Sequence, residues 1–286
     1  MLQKKLLILF LLLANISFSQ KAEPSLLWRI SGKGLKEPSY IFGTFHMMCK
    51  DQFQISQPME LALSSCKKYY GELDMDDPNM SATMMEFAKI KDSKTIDSYM
   101  EPKEFAAFDK KYQSATGMSL MMFKQYKPFF GMSFLILKTV PCTATVQPET
   151  ELMHLAQQKQ LEILGLETIE QQMNLLNQEP IDSQLISMRK MVNNFDSSKQ
   201  VMREMIQVYL KKDVEALYQY MKEKGVNDNF ESTMLINRNK EWIPKMKKSM
   251  NENPSFFAVG AGHLGGKSGV LALLRKNGYL VEPIQY

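Results

Sequence analysis

From Ser25 onward the chain switches between two hydrophobic periods. Short apolar runs bounded by glycine read as strands, and longer stretches with apolar residues at three- and four-residue spacing read as helices. "SLLWRISG" and "SYIFGTFH" are predicted to be two strands joined by the turn "GKGLKEP". A helix follows from about Gln57 to Cys66, then the strand "KKYYGELDM", closed by the turn "DDPN". From about Ser81 to Leu137 the pattern is helical, broken at Lys127-Pro128, because a residue before proline is pushed out of the helical region. "ETELMHLAQQKQ" is a further helix, and "LEILGLET" a buried strand that leads into the helix from Ile169. From Ile181 to about Met250 the period is helical again. The chain closes with strand "SFFAVGAG", helix "SGVLALLRKNG" and strand "YLVEPIQ".

The two ends repeat one plan: an apolar strand, Gly-x-x-His, a loop, a helix and a strand. This predicts an α/β fold in which two βαβ-type units at the chain ends share a central sheet, with a large helical insertion between them. In an open α/β sheet, the loops at the carboxyl ends of strands build the site. The two Gly-x-x-His loops are therefore expected at one rim. No repeat of 20–50 residues is visible.

Composition changes this picture little. The 44% apolar and 23% charged content is that of a globular protein. The net charge of +4 includes Lys4 and Lys5, and the remaining charges are interleaved, so nucleic acid is not an expected partner. The opening residues do matter. Two lysines, an apolar run from Leu6 to about Leu13 and a Ser-x-Ser ending near Ser19 read as a signal peptide over residues 1–20. The run is too short for a stable membrane span, and no cysteine ends it for a lipid anchor. The expectation is an exported protein, periplasmic or extracellular, with one domain over residues 21–286 and no stable span after cleavage. Cys49, Cys66 and Cys142 are an odd set, so at most one bridge forms within the chain, and Cys49–Cys66 is the expected pair. The 23 methionines are scattered as helix-core filler.

Candidate chemistry centres on two of the three histidines, His46 in "SYIFGTFHMM" and His263 in "FFAVGAGHLGG". Each follows a glycine that lets the chain turn out of a strand, which leaves an imidazole free to bind a metal or move a proton. One such histidine alone reads as a loop residue; the matched pair reads as a site. Glu72, in a strand rich in Tyr, Leu and Met, needs a cationic partner if it is buried. Glu167 follows a strand and a glycine, and its plain reading is a favourable acid near a helix start. Arg238 lies in a helix, with a solvated charge as its default reading. His154 sits on a helix and is assigned to packing or surface. "GAGHLGGKSG" lacks the spacing of a phosphate loop.

Taken together, "SYIFGTFH", "GELDMDDP", "GLETIEQQ", "INRNKEW" and "VGAGHLGGKSGVLALLRKNGYLV" resemble the TraB/GumN family, which includes the Tiki metalloproteases, over nearly all of the chain after residue 20. The resemblance implies an α/β fold related to erythromycin esterase and ChaN-like proteins. It also implies a shared site in which His46 and His263 match the motif histidines and Glu72 the acidic residue after the first motif. Glu167 matches the glutamate of Gly-Leu-Glu-Thr, and Arg238 with Asn239 matches the Arg-Asn pair. Glu282 has no trusted counterpart. The function so implied is a secreted, metal-dependent hydrolase acting on a peptide or small-molecule substrate. His46, Glu72 and His263 would hold a divalent ion, Mn²⁺ or Co²⁺ with Zn²⁺ as an alternative. Glu167 would be a base or would support a ligand, and Arg238 would orient carboxylates or stabilise an oxyanion. The alternatives are a metal-free, histidine-based esterase-like hydrolase and a non-catalytic protein that binds a peptide or haem.

Overall fold

A computed structural model describes residues 24–91, 93–224 and 228–286. The expected signal peptide, residues 1–20, lies outside the described residues. Eight strands are described: β1 (Leu27–Ser31), β2 (Ser39–Thr44), β3 (Met48–Cys49), β4 (Lys68–Gly71), β5 (Thr145–Val146), β6 (Glu162–Gly165), β7 (Ser255–Gly260) and β8 (Leu280–Ile284). Six of them form one mixed sheet in the order β6-β4-β7-β2-β1-β8, and β3 pairs with β5 apart from it. The protein is thus mixed α/β, with helices filling most of the chain between β4 and β7.

The two chain ends meet in the middle of this sheet. β2 and β7 lie side by side and parallel, with Thr44 opposite Gly260. β7 also pairs in parallel with β4, and β4 with β6, so Gly71 stands opposite Gly165. Four parallel strands therefore release their chains at one edge of the sheet. β1 runs antiparallel to both β2 and β8. The second end unit is accordingly split: β7 goes to the centre and β8 to the far edge.

The apolar content of each strand matches its place. Phe256, Phe257, Ala258 and Val259 on β7 are fully buried, as a central parallel strand covered on both faces requires. At about 1.5–3 kcal/mol for each large side chain removed from water, this strand anchors the core. Gly43 marks a close approach, since a Cβ there would lie 2.7 Å from Leu264 Cδ1 and 3.1 Å from Ala261 Cα. Only glycine lets the first Gly-x-x-His loop pack against the second. A separate apolar cluster around Tyr112, Leu120, Leu135 and Met188 holds the helical insertion.

Two expectations are corrected. The strand "KKYYGELDM" ends at Gly71, so Glu72 lies just beyond β4 and not within it. The disulfide joins Cys49 to Cys142, not to Cys66. The β3–β5 pairing sets Cys49 opposite Thr145 and brings Cys142 within a Cα distance of 5.7 Å. Cys66 is buried just past the helix Gln57–Ser64, where its thiol donates to the Ala62 carbonyl.

The bridge closes a sequence separation of 93 residues that contains β4 and much of the helical insertion. Cys142→Ser is expected to lower unfolding free energy by about 2–5 kcal/mol. Urea titration with and without reductant checks this: the wild type in reductant should match the variant, and a variant indistinguishable from oxidised wild type would refute it.

Candidate active site

Each parallel strand delivers one polar side chain at the shared edge. β2 leads through Thr44 to His46, β4 to Glu72, β6 through Leu166 to Glu167, and β7 to His263. Arg238 comes from the first turn of the helix Asn237–Glu252, which continues directly from a π-helical stretch, Glu231–Ile236. Such stretches recur at functional sites because they re-aim the side chains that follow.

Arg238 is 4% exposed and sits at the centre. Its Nε–H is shared between the two Glu167 oxygens at 3.1 Å, and one N–H of its Nη2 also meets Glu167. The other Nη2 hydrogen goes to Glu72 Oε2 at 2.6 Å. Nη1 donates to the Met234 carbonyl at 2.9 Å and to His263 Nε2 at 3.1 Å. All five guanidinium hydrogens are used, which makes so deep a burial of the charge tolerable. The guanidinium also stacks over Trp242, 4.9 Å from its ring centre.

The surroundings determine which form of His263 is present. Asn239 donates through Nδ2 to the His263 and Ser268 carbonyls at 3.3 and 3.0 Å, so its Oδ1 is the atom that faces His263 Nδ1 at 2.7 Å. Nδ1 therefore carries the proton, and Nε2 offers its lone pair to Arg238, which can only donate. Burial holds this imidazole neutral, down at about 3, with the Arg238 and His46 charges adding to it against the pull of Glu72. Burial alone would push the Glu72 carboxyl up. The charges of Arg238 and His46 and the Gly260 N–H outweigh it and hold Glu72 well below the usual carboxylate range. With His263 neutral, Arg238 is the buried cation that keeps Glu72 ionised.

His46 belongs to a different arrangement. Its Nδ1 lies 2.8 Å from Glu149 Oε1, which also accepts from the buried Thr44 hydroxyl at 2.7 Å. Glu149 sits in the first turn of the helix Pro148–Gln158, and Tyr69 donates to its carbonyl at 3.1 Å. The Glu149 hydrogen bond raises the His46 imidazole from 6.5 to about 9, against a smaller burial effect. The side chain is 77% exposed, so solvent screens the pair. Among the described residues nothing hydrogen-bonds His46 Nε2. Sequence reasoning passed over Glu149, 103 positions from His46, because an acid in a first helical turn is ordinary. Its only signal is "QPET", a proline that starts the helix beside the acid.

His46, Glu72 and His263 do approach one point. A Cβ on Gly260 would lie 3.2 Å from Glu72 Oε1, 3.7 Å from His46 Nε2 and 3.7 Å from His263 Cδ2. His263 thus turns a carbon toward that point, its lone pair being given to Arg238. Glu72 Oε1 accepts from the Gly260 N–H at 2.8 Å. Among the described residues no three His, Cys, Asp or Glu side chains stand in a ligand arrangement. As arranged, the expected triad does not fit a divalent ion: it offers one uncommitted nitrogen, and Arg238 occupies the cation's place. Glu167 anchors Arg238 and is further held by Gln172 Nε2 at 3.0 Å. Arg238 is no solvated charge, and its hydrogens are spent on carboxylates, His263 and a carbonyl, with none left for an oxyanion. His154 is exposed, and Glu282 pairs with Arg29 at the sheet's far edge.

His46 borders a cavity of about 330 Å³ that Arg238, Gly260 and His263 also line, with apolar side chains forming most of its walls. The profile of the TraB/PrgY/gumN family matches residues 26–283 of the chain. No curated protein and no solved structure matches it.

Two outcomes test the buried half of the site. Because His263 is near 3 when folded and about 6.5 when unfolded, its contribution is present above pH 6.5 and lost as pH falls toward 3. Unfolding free energy should fall there with a slope approaching about 1.4 kcal/mol per pH unit. His263→Gln should flatten the profile between pH 6.5 and 4.5, while the loss from Glu72 persists between 4.5 and about 2; an unchanged slope would count against the neutral buried imidazole. Arg238→Met strands two buried carboxylates and should cost about 3–5 kcal/mol in chemical denaturation.

Proposed function

Starting from the fact that the chain belongs to the TraB/PrgY/gumN family, we propose that it is a hydrolase in which His46 serves as general base on water at the mouth of the apolar cavity. The observation that carries this reading is the Glu149–His46 pair. A carboxylate orients the imidazole through Nδ1 and leaves Nε2 facing the cavity with its lone pair uncommitted once deprotonated. A positioned base within hydrogen-bond reach of water contributes about 10²–10⁴-fold in rate.

The step balances without a further reactant. His46 Nε2 takes a proton from water, and the water oxygen bonds to the carbonyl carbon of an ester or amide. The bond to the leaving alcohol or amine then breaks as His46 returns the proton. Glu149 stabilises the imidazolium that forms between these events. Arg238, Glu72 and His263 shape the floor of the site and hold it rigid; the reading assigns them no proton transfer. Export from the cell remains part of the proposal on the strength of the N-terminal pattern alone, and the Cys49–Cys142 bridge agrees with an oxidising compartment.

The rival reading is the metal-dependent hydrolase, favoured by the approach of His46, Glu72 and His263 to the space beside Gly260. It requires Arg238 to release His263 Nε2.

The experiment follows hydrolysis of 4-nitrophenyl acetate by chelator-treated protein. Retained activity is expected, with His46→Ala lowering kcat/KM by about 10²–10⁴-fold. Because Glu149 raises the imidazole, kcat/KM should climb with pH through an ionisation between 6.5 and about 9. Glu149→Gln should move that ionisation toward 6.5. Activity abolished by chelator and restored by Mn²⁺ or Co²⁺ would replace this mechanism with the metal-dependent one.

A further inference from the structure

The cavity behind His46 has polar groups at one end only. Thr44, His46, Arg238 and the Gly260–His263 loop form that end, and the walls beyond it come from four helical segments. Met202 and Met205 project from the helix Phe195–Leu210, Met221 from Val214–Glu223, and Met234 from the π-helical stretch. With Met47 these make five methionines around one space. Methionine is unbranched, has three rotatable bonds and adapts to flexible apolar guests. At about 330 Å³ the cavity lies at the small end for a ligand site.

The apolar surface does not stop at the rim. Ile136 is 46% exposed, Leu137 39% and Phe230 44%, and all three border the opening. Isolated apolar side chains on a surface need no account, but three that continue an internal apolar wall do. Among the described residues no unpaired strand edge lines the cavity. Its two contributing strands, β2 and β7, are each paired on both sides within the sheet. A peptide held by strand addition therefore has nothing to add to. The opening suits a single flexible chain entering end-on.

We propose that this cavity is an acyl pocket, which takes the unbranched aliphatic chain of a medium-length ester or amide and sets its carbonyl beside His46. The proposal rests on the hydrolase reading above and specifies its substrate class. The chain lies among the methionines and Leu217, and the carbonyl reaches the polar end. The pocket selects by chain length, since each buried methylene adds a constant increment until the cavity is full.

The test has a binding arm and a hydrolysis arm. Calorimetric titration with ethanol, butanol, hexanol and octanol is run on the wild type and on His46→Ala. Affinity should rise about fourfold per methylene in both proteins, up to the length that fills the cavity. In the hydrolysis arm, kcat/KM for the 4-nitrophenyl esters of acetate, butyrate and octanoate should rise in the same order in the wild type only. Met205→Trp, which narrows the cavity, should reduce the octanoate-to-acetate ratio at least tenfold; the wild-type series stands without it if that variant fails to fold. A flat alcohol series in both proteins overturns the acyl pocket, whether or not esters are cleaved. A rising alcohol series with no ester hydrolysis overturns the hydrolase reading and leaves the pocket. Preference for a quenched peptide carrying norleucine over the octanoate ester overturns the acyl assignment in favour of a peptide side chain.

Discussion

A guanidinium buried among two carboxylates and a neutral imidazole is the interaction on which this architecture turns. Removing such a charge from water costs several kcal/mol unless every hydrogen finds an acceptor. Arg238 meets that condition with Glu167, Glu72, His263 and the Met234 carbonyl. The acceptors come from four separate parts of the chain, so the arginine fixes their relative positions. Losing any one of them leaves a buried polar group without its partner, which is costlier than never having buried it. The π-helical turn before Arg238 is the local device that brings the side chain inward.

The sheet makes this arrangement reachable. Four parallel strands end at one edge, and each hands the chain to a loop that carries one member of the site. Gly260 is part of the arrangement because its missing side chain leaves room where Glu72, His46 and His263 approach. The site then divides by solvent access. The Arg238 group is buried and electrostatically settled, with Glu72 ionised and His263 neutral across the physiological range. His46 is open to solvent and lines the cavity, while its partner Glu149 is largely covered.

Much of this was legible in the chain. The hydrophobic periods located the strands and most helices, since strand and helix burial impose different repeats on the same side chains. The family resemblance singled out His46, Glu72, Glu167, Arg238 and His263, and four of these do meet in one hydrogen-bonded group. Their roles were less legible. Arg238 looks like any helical arginine, and its burial depends on a carboxylate 71 positions away. Glu149 went unnoticed because its partner is 103 positions distant and its local setting is commonplace. The cysteine pairing failed for the same reason, being decided by the β3–β5 contact and not by spacing.

By itself, then, the sequence determined what is local: element types, the glycines that end strands, and the side chains available for chemistry. Periodicity and backbone sterics act over a few residues, so a few residues suffice to read them. Only the tertiary structure decided which charges neutralise one another, which histidine stays neutral and which keeps a free nitrogen, and where the apolar cavity opens. Those outcomes depend on distances of a few ångströms between residues far apart in the chain, and on how much water remains between them.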